Sequence, residues 1–532
     1  MKIVRIGGGS HDVPPAETIG AKAANLARMA AMGLPVPPAF VLPVSLCADI
    51  VADKAHAARD LREGLREGIA FLEEVTGKSF GDRRKPLLVS VRSGAARSMP
   101  GMLETVLNVG CTSAAVRGLI RCTGRPRLAW DCRRRFLESY AETVVGLEAD
   151  SLAAHVSELT AAEGAGSDRE LDSEALERLA SDEKKMMEDG DAGWLEDAAL
   201  QLEHSARAVY RSWMSERAQT YRRLERLEHL AGTAVTVQAM VFGNGGPSSG
   251  AGVAFSRDPS TGAPQPVIDV IFDAQGEDVV SGRHTPDTER TLARTLPSVA
   301  EELGSVLKRL EQEFLDVQDI EFTIEEGKLW ILQTRAAKRT PRATLRIAID
   351  LVHEGLITHE QARARLAGID PESLVETSLK TVEPPAATGI GASGGIAAGR
   401  VAFNSEAAQS LVAAGEPAIL LRPDTSTADI AGFAAAAAIV TAVGARTAHA
   451  SLVARQMGKP CIVGCSALRI DAEAQRAQIG DKIISAGDWV TVDGDAGRLY
   501  LARCEIVRRR PEAELAELAR WPTGHRPEPA LS

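Results

Sequence analysis

The chain has 532 residues, 45% of them hydrophobic and 25% charged, with 61 Lys+Arg against 72 Asp+Glu and a formal net charge of −11. At roughly 150 residues per domain this predicts about three to four globular units, and the composition excludes a disordered, collagen-like or disulfide-scaffold chain. The absence of a dense basic block and an aromatic content of 4% argue against nucleic acid as a partner, so any anion must be held by local basic residues.

The seven cysteines are scattered and show neither Cys-x-x-Cys nor zinc-ligand spacing. The N-terminus lacks an apolar run of signal-peptide length. The longest apolar stretch, Ile430–Val443, is too short to span a bilayer. The expected compartment is a reducing cytoplasm.

In chain order, residues 16–32 read as one helix stopped by Gly33 and the prolines at 35, 37 and 38. Residues 87–92 (LLVSVR) read as a buried strand leading into the loop SGAARSMPGM. Residues 126–230 carry helical spacing and many charges, which predicts a helical lobe. Strands are predicted at 234–242, 253–257, 266–272, 317–324 and 328–334, with a glycine-rich loop at 243–252 and a turn at Glu326-Gly327. Residues 343–380 read as a helical connector, and GIGASGGIAAG (389–399) as a domain boundary. Strands at 418–422, 438–442 and 461–465 alternate with helices at 426–436 and from 447, which predicts a compact β/α domain. The last 25 or so residues read as a charged tail. The expected layout is a nucleotide-binding domain at 1–342, a connector at 343–382, a β/α domain at 383–505 and a tail at 506–532.

Four constellations can carry chemistry. Thr447 is a candidate N-cap that puts His449 in a helix's first turn, where free N–H groups and the dipole favour negative charge. The plainer alternative is a histidine that only packs or caps. Asp319 and Glu321 lie two apart on one predicted strand, and Gln333 and Arg335 two apart on its partner. If the hairpin sets same-parity residues opposite one another, all four share a face suited to a magnesium–polyphosphate complex, or simply to cross-strand pairing on a wet surface. The loop GNGGPSSGAG can present N–H groups to phosphates or be an ordinary hairpin, and no P-loop spacing is present. Lys22 and Arg92 are either phosphate ligands or surface charges, with Arg92 the better placed because it ends an apolar strand.

Five long motifs resemble the pyruvate, phosphate dikinase family: VSVRSGAARSMPGMLETVLNVG from Val89, TAVTVQAMVFGNGGPSSGAGVAFSRDPSTG from Thr233, AQGEDVVSG from Ala274, QDIEFTIEEGKLWILQTRAAKR from Gln318, and GARTAHASLVARQMGKPCIVGC from Gly444. The resemblance runs from about residue 16 to about residue 502. It implies an α+β and α/β multidomain protein, with an ATP-grasp domain followed by a swivelling phosphohistidine domain. It further implies ATP and Mg2+ as cofactors, His449 as phosphocarrier, and AMP release, with inorganic phosphate taking the γ-phosphoryl group.

The residues it implies at the ATP site are Lys22 and Arg92 on phosphates, and Gln238, Met240 and Val241 by the adenine. Ser249, Gly250, Ala251 and Gly252 would lie over the phosphates, Glu277 would line the site, and Asp319, Glu321, Gln333 and Arg335 would form the metal and polyphosphate site, with Glu321 and Gln333 on the metal. His449, Arg92 and Arg335 would be catalytic, and Thr447 is a regulatory candidate. The family's pyruvate-binding barrel has no counterpart in these 532 residues, so a separate barrel protein is expected to bring pyruvate or phosphoenolpyruvate. A homodimer is a further expectation, as is the absence of membrane or nucleic-acid partners. The alternatives are transfer to another small molecule, as in rifampicin phosphotransferases, or a non-catalytic ATP-binding regulator. The chain departs from the family at GAKAA (20–24) for Gly-Gly-Lys-Gly and at GARTAH (444–449) for Gly-Gly-Met-Thr-Ser-His.

Overall fold

The computed structural model describes residues 2–97, 99, 102–187, 193–280, 285–286, 291–370, 374–380, 384–424, 429–446, 449–471 and 474–522, with Val280 and His449 described for backbone alone. Two compact units emerge, 1–245 with 330–334, and 246–329 with 335–532.

In the first unit the strands are β1 (Val4–Ile6), β2 (Ala39–Leu42), β3 (Val89–Ala95), β4 (Thr105–Val109) and β5 (Thr233–Ala239). They form one sheet in the order β1-β2-β5-β3-β4. Every residue of β5 is buried, as its central place requires. The predicted helix over 16–32 is two helices, α1 (Ala16–Ile19) and α2 (Ala21–Ala31). The break is Gly20, at φ +80, where a Cβ would come 2.2 Å from the Gly94 carbonyl oxygen. That close approach to β3 selects glycine and ends the first helix, against the helical spacing of the neighbouring alanines.

Helix α3 (Ala55–Thr76) buries Leu61, Leu65 and Leu72 against the sheet and ends on left-handed Gly77. The predicted helical lobe is present. After α4 (Ser113–Thr123), residues 126–230 include α5 (Pro126–Tyr140), α6 (Ser173–Met187) and α7 (Ala198–Arg211). Helix α5 starts with Pro126 at its first position, where a missing N–H costs nothing.

The second unit begins with a four-stranded sheet of β6 (Gly250–Phe255), β7 (Val267–Phe272), β8 (Gln318–Glu325) and β9 (Lys328–Ala336), in the order β9-β8-β6-β7. Residues 330–334 of β9 are counted with the first unit. Helix α8 (Gly276–Val280) follows β7, and α9 (Pro297–Phe314) precedes β8. The glycine loop is shorter than predicted, because the strand already starts at Gly250. Gly252 gives room on β6: a Cβ there would meet the Phe322 ring at 2.4 Å and Asp269 O at 2.5 Å.

Residues 343–380 are less of a free connector than the sequence suggests. Helix α10 (Pro341–His353) is capped by Thr340, whose hydroxyl accepts from Ala343 N. Its Leu345, Ile347, Ala348 and Leu351 share one core with Ala251, Val253 and Phe255 of β6. Helix α11 (His359–Leu366) follows with a complete capping box at Thr358 and Gln361, then strand β10 (Glu376–Leu379).

The β/α region contains β11 (Ala387–Thr388), β12 (Ile390–Ser393), β13 (Ile396–Ala402), α12 (Ser405–Ala413), β14 (Ala418–Arg422), α13 (Ile430–Ala435), β15 (Ala438–Thr441), α14 (His449–Gln456) and β16 (Cys461–Val463). Strands β17 (Leu468–Asp471), β18 (Arg476–Ile479) and β19 (Lys482–Ser485) make a small separate sheet. Strands β20 (Trp489–Asp493) and β21 (Arg498–Tyr500) return to the main one. Its order is β11-β21-β20-β13-β14-β15-β16-β12, with β13 to β16 mutually parallel. The predicted strand–helix alternation is therefore correct, and the continuous apolar runs of β14, β15 and β16 reflect burial on both faces. The glycine-rich stretch at 389–399, read as a domain boundary, lies largely in β12 and β13.

The tail reading is overturned for residues 506–522. Strand β22 (Ile506–Arg509) pairs antiparallel with β10, and helix α15 (Glu512–Arg520) follows. Trp521 is 6% exposed in the same core as α10, with its ring 5.1 Å from that of His359. Of the charges that suggested a tail, Arg508 and Arg509 lie on β22, and Glu517 of α15 pairs with His353 of α10 at 2.5 Å. No described helix is long and apolar enough to cross a membrane.

Candidate nucleotide and phosphohistidine site

Lys22, Arg92, Gln238, Met240, Val241 and Gln333 belong to the first unit. Lys22 is exposed, in the first turn of α2, two residues beyond the Gly20 break. Arg92 is half-buried on β3, opposite Thr236 of β5 and Thr105 of β4. Gln238 is buried on β5, where its Nε2 donates to Pro37 O at 3.1 Å. Met240 and Val241 follow the strand, and Met240 N donates to Leu88 O at 2.9 Å. The sheet thus brings Arg92 and Gln238 onto neighbouring central strands. The structure describes Met99 alone between 98 and 101 of the SGAARSMPGM loop.

Ser249, Gly250, Ala251, Gly252, Glu277, Asp319, Glu321, Arg335 and His449 belong to the second unit. Ser249 is buried, and its hydroxyl accepts from Glu326 N at 2.9 Å. Gly250, Ala251 and Gly252 are buried in β6 and pair with Ile324, Thr323 and Phe322 of β8. Glu277 lies in the first turn of α8.

Asp319 and Glu321 face the same side of β8, opposite Phe255 and Val253. Arg335 Nε donates to Asp319 Oδ2 at 2.7 Å, with the Asp319 side chain 0% and the Arg335 side chain 27% exposed. Burial pushes the Asp319 carboxyl above its ordinary range, although Arg335 opposes this. The other carboxylate oxygen, Oδ1, is buried and has no hydrogen-bond partner among the described residues. A buried anion with one oxygen unsatisfied is costly without a further donor or cation.

Only at its turn does the hairpin depart from the condition set by the sequence. Glu326 and Gly327, at φ +50 and +78, form a two-residue turn, which pairs odd positions with even ones. Yet Ala337 N donates to Val317 O at 2.9 Å, an odd–odd pairing. At that end of the hairpin same-parity residues face one another, the condition set by the sequence, and Asp319 and Arg335 meet it.

Helix α14 opens at His449 and ends before left-handed Gly458, as the sequence predicts. Thr447 and Ala448 lie outside the described residues. Sequence reasoning missed Arg455, six residues after His449. It is fully buried, donates to Ala392 O at 3.0 Å and to Arg446 O at 2.6 Å, and lies 5.2 Å from the Phe255 ring centroid. Burial lowers its pKa to about 10, against the opposing field of Asp319. Arg446, noted only as a departure from the family motif, forms an ion pair with Asp269 on β7. Neither contact has a sequence signature, because both join segments far apart in the chain.

These features define a mixed α and β protein with two antiparallel-rich sheets and a β/α domain in which His449 opens a helix. The family model for the pyruvate phosphate dikinase AMP/ATP-binding domain matches residues 53–305 and 296–355. The model for the mobile domain of PEP-utilising enzymes matches residues 414–497. The pyruvate, phosphate dikinase of Rhizobium meliloti is 39% identical over 523 residues, covering 95% of this chain and 58% of that protein. That of Clostridium symbiosum is 38% identical, covering 94% and 58%. The chloroplastic enzyme of Flaveria pringlei is 39% identical, covering 94% and 53%. The chain belongs to the pyruvate, phosphate dikinase family, a family of ATP-binding phosphotransferases. It spans somewhat over half the length of these relatives, which are single chains.

Proposed function

We propose that this protein catalyses the nucleotide half of the dikinase reaction, in the cytoplasm, with ATP and Mg2+. The imidazole of His449 attacks the β-phosphorus of ATP and AMP leaves. Inorganic phosphate then takes the γ-phosphoryl group as pyrophosphate, which leaves phosphohistidine. The phosphoryl group passes on to pyruvate, giving phosphoenolpyruvate, at an acceptor site outside the matched span. The relatives being single chains, a separate barrel subunit has no support from them, and the acceptor arrangement is decided by the assay below. The observation that carries the reading is the placement of two groups. The buried Asp319–Arg335 pair lies in the span that matches the nucleotide-binding domain, and His449 opens a helix in the span that matches the mobile domain.

The residues fit a magnesium–nucleotide complex. Asp319 Oδ1 is an unsatisfied hard oxygen donor, and Glu321 adds a second carboxylate on the same face. No set of three acidic, histidine or cysteine side chains suited to a metal occurs among the described residues; Mg2+ bound mainly through phosphates and water does not require one. When bound, the ion neutralises phosphate charge. Arg335, Arg92 and Lys22 would supply the remaining positive charge, with Gln333 as a further metal ligand, Gln238, Met240 and Val241 by the base, Ser249 to Gly252 over the phosphates, and Glu277 lining the site. A neutral imidazole is a competent nucleophile near pH 7, and the chemistry then needs positioning and charge neutralisation more than covalent help from the protein.

The test is incubation with β-labelled or γ-labelled ATP, Mg2+ and phosphate. Acid-labile β-label on the protein with AMP release, lost in His449→Ala, supports the reading. Label that persists in His449→Ala, or no label on the wild type, refutes it. Chasing labelled protein with pyruvate, alone or with a separately supplied barrel, identifies the acceptor. Transfer to another small molecule and ATP binding without turnover are the competing outcomes.

A further inference from the structure

The glycine-rich segment that follows β5 is anchored by a side chain. Asn244 is 5% exposed, and its Nδ2 donates to Asp131 Oδ2 at 2.7 Å. A carboxylate offers only acceptors, so the amide NH2 must face it and the amide oxygen must point away. That oxygen is buried and has no hydrogen-bond partner among the described residues.

Asp131 sits on α5, itself 3% exposed. Arg134 Nη2 donates to its Oδ1 and Arg135 Nε to its Oδ2, each at 2.9 Å. Burial alone would raise the Asp131 pKa, but Arg135 and Arg134 outweigh it and hold the carboxyl well below its usual range. The anchor is thus a fixed anion gripped by two guanidinium groups of its own helix. Beyond Asn244 come Gly245 and Gly246, and Gly246 N donates to Asp273 Oδ1 at 2.9 Å within the second unit. Only Gly245 separates the two anchored residues, Asn244 and Gly246.

A buried Asn–Asp contact is a poor way to gain stability alone, because both groups must be desolvated. A charge-assisted hydrogen bond does fix the direction of the backbone that carries it. We propose that Asn244 and Asp131 are positioning residues, which hold the first arm of the glycine-rich loop so that its N–H groups are set for polyphosphate before nucleotide arrives. This rests on the nucleotide reading above. Ordering the loop in advance removes that cost from binding.

The experiment uses Asn244→Ala and the isosteric Asn244→Asp, which sets a carboxylate against Asp131. Three quantities are measured: urea unfolding, ATP affinity by calorimetry with Mg2+, and amide hydrogen exchange over 243–249 without nucleotide. We expect Asn244→Ala to weaken ATP binding about 10-fold, the lower end of what a hydrogen bond to a charged group supplies. Asn244→Asp should weaken it further, and the loop should exchange faster in both variants. Loop exchange unchanged in both folded variants, or ATP affinity within about two-fold of wild type, would overturn the proposal. If the wild type binds no ATP, the nucleotide reading falls. Loop exchange then decides the tether by itself: faster exchange retains it and unchanged exchange removes it.

Discussion

Replacing Arg335 by Ala tests the charge logic of the site directly. Asp319 has a side chain with no exposure, one oxygen held by Arg335 and one with no partner among the described residues. Removing the guanidinium leaves the carboxylate buried with that bond gone as well. Breaking a buried pair by removing one partner costs about 3–5 kcal/mol, and partial exposure of Arg335 places the expectation near the lower end.

The sign with pH follows from linkage. Burial already raises the Asp319 pKa, and loss of Arg335 raises it further. A folded-state carboxyl pKa above its unfolded value means that the folded form resists ionisation, so the cost grows as pH rises above the unfolded carboxylate pKa and fades below it. Urea unfolding of Arg335→Ala should therefore show a deficit of about 3 kcal/mol at pH 7.5 that shrinks toward pH 5, with a loss of His449 labelling. A deficit under about 1 kcal/mol at pH 7.5, or one independent of pH, would refute the reasoning.

Gly20→Ala should destabilise the first unit by about 2 kcal/mol or more, because φ +80 strains any L-residue and the new Cβ meets a backbone oxygen that cannot yield; thermal unfolding checks it, and ATP affinity should fall because Lys22 follows directly. Glu183 is fully buried in the helical lobe, and burial with the Glu138 charge beside it pushes its pKa far up. Its cost is absent below the unfolded carboxylate pKa and grows with pH by about 1.4 kcal/mol per unit until the folded form ionises. Glu183→Gln should stabilise the protein more at pH 8 than at pH 5, and equal effects at the two pH values would contradict this. Trp521→Ala should cost about 3 kcal/mol or more through the core shared with α10; a change below about 1 kcal/mol in urea unfolding would show that the C-terminal helix does not hold that core together.

The central strands, the helical lobe, the strand–helix alternation after residue 417 and the helix that opens at His449 were all legible in the sequence. Each rests on local periodicity, apolar runs or punctuation by Gly and Pro, which act within one segment. The motifs carried the family, which the comparisons show.

Tertiary structure decided what depends on distant contacts. It broke the first helix at Gly20, because a carbonyl of β3 occupies the space a side chain would need. It made residues 506–522 part of the second unit, because β10 and the α10 core supply partners that lie far away in sequence. It set Arg335 against a fully buried Asp319, buried Arg455 and tied Asn244 to Asp131. A charged side chain looks the same in a sequence whether it ends in water or in a core. Its environment, and hence its pKa and its use, is set by whatever the fold packs around it.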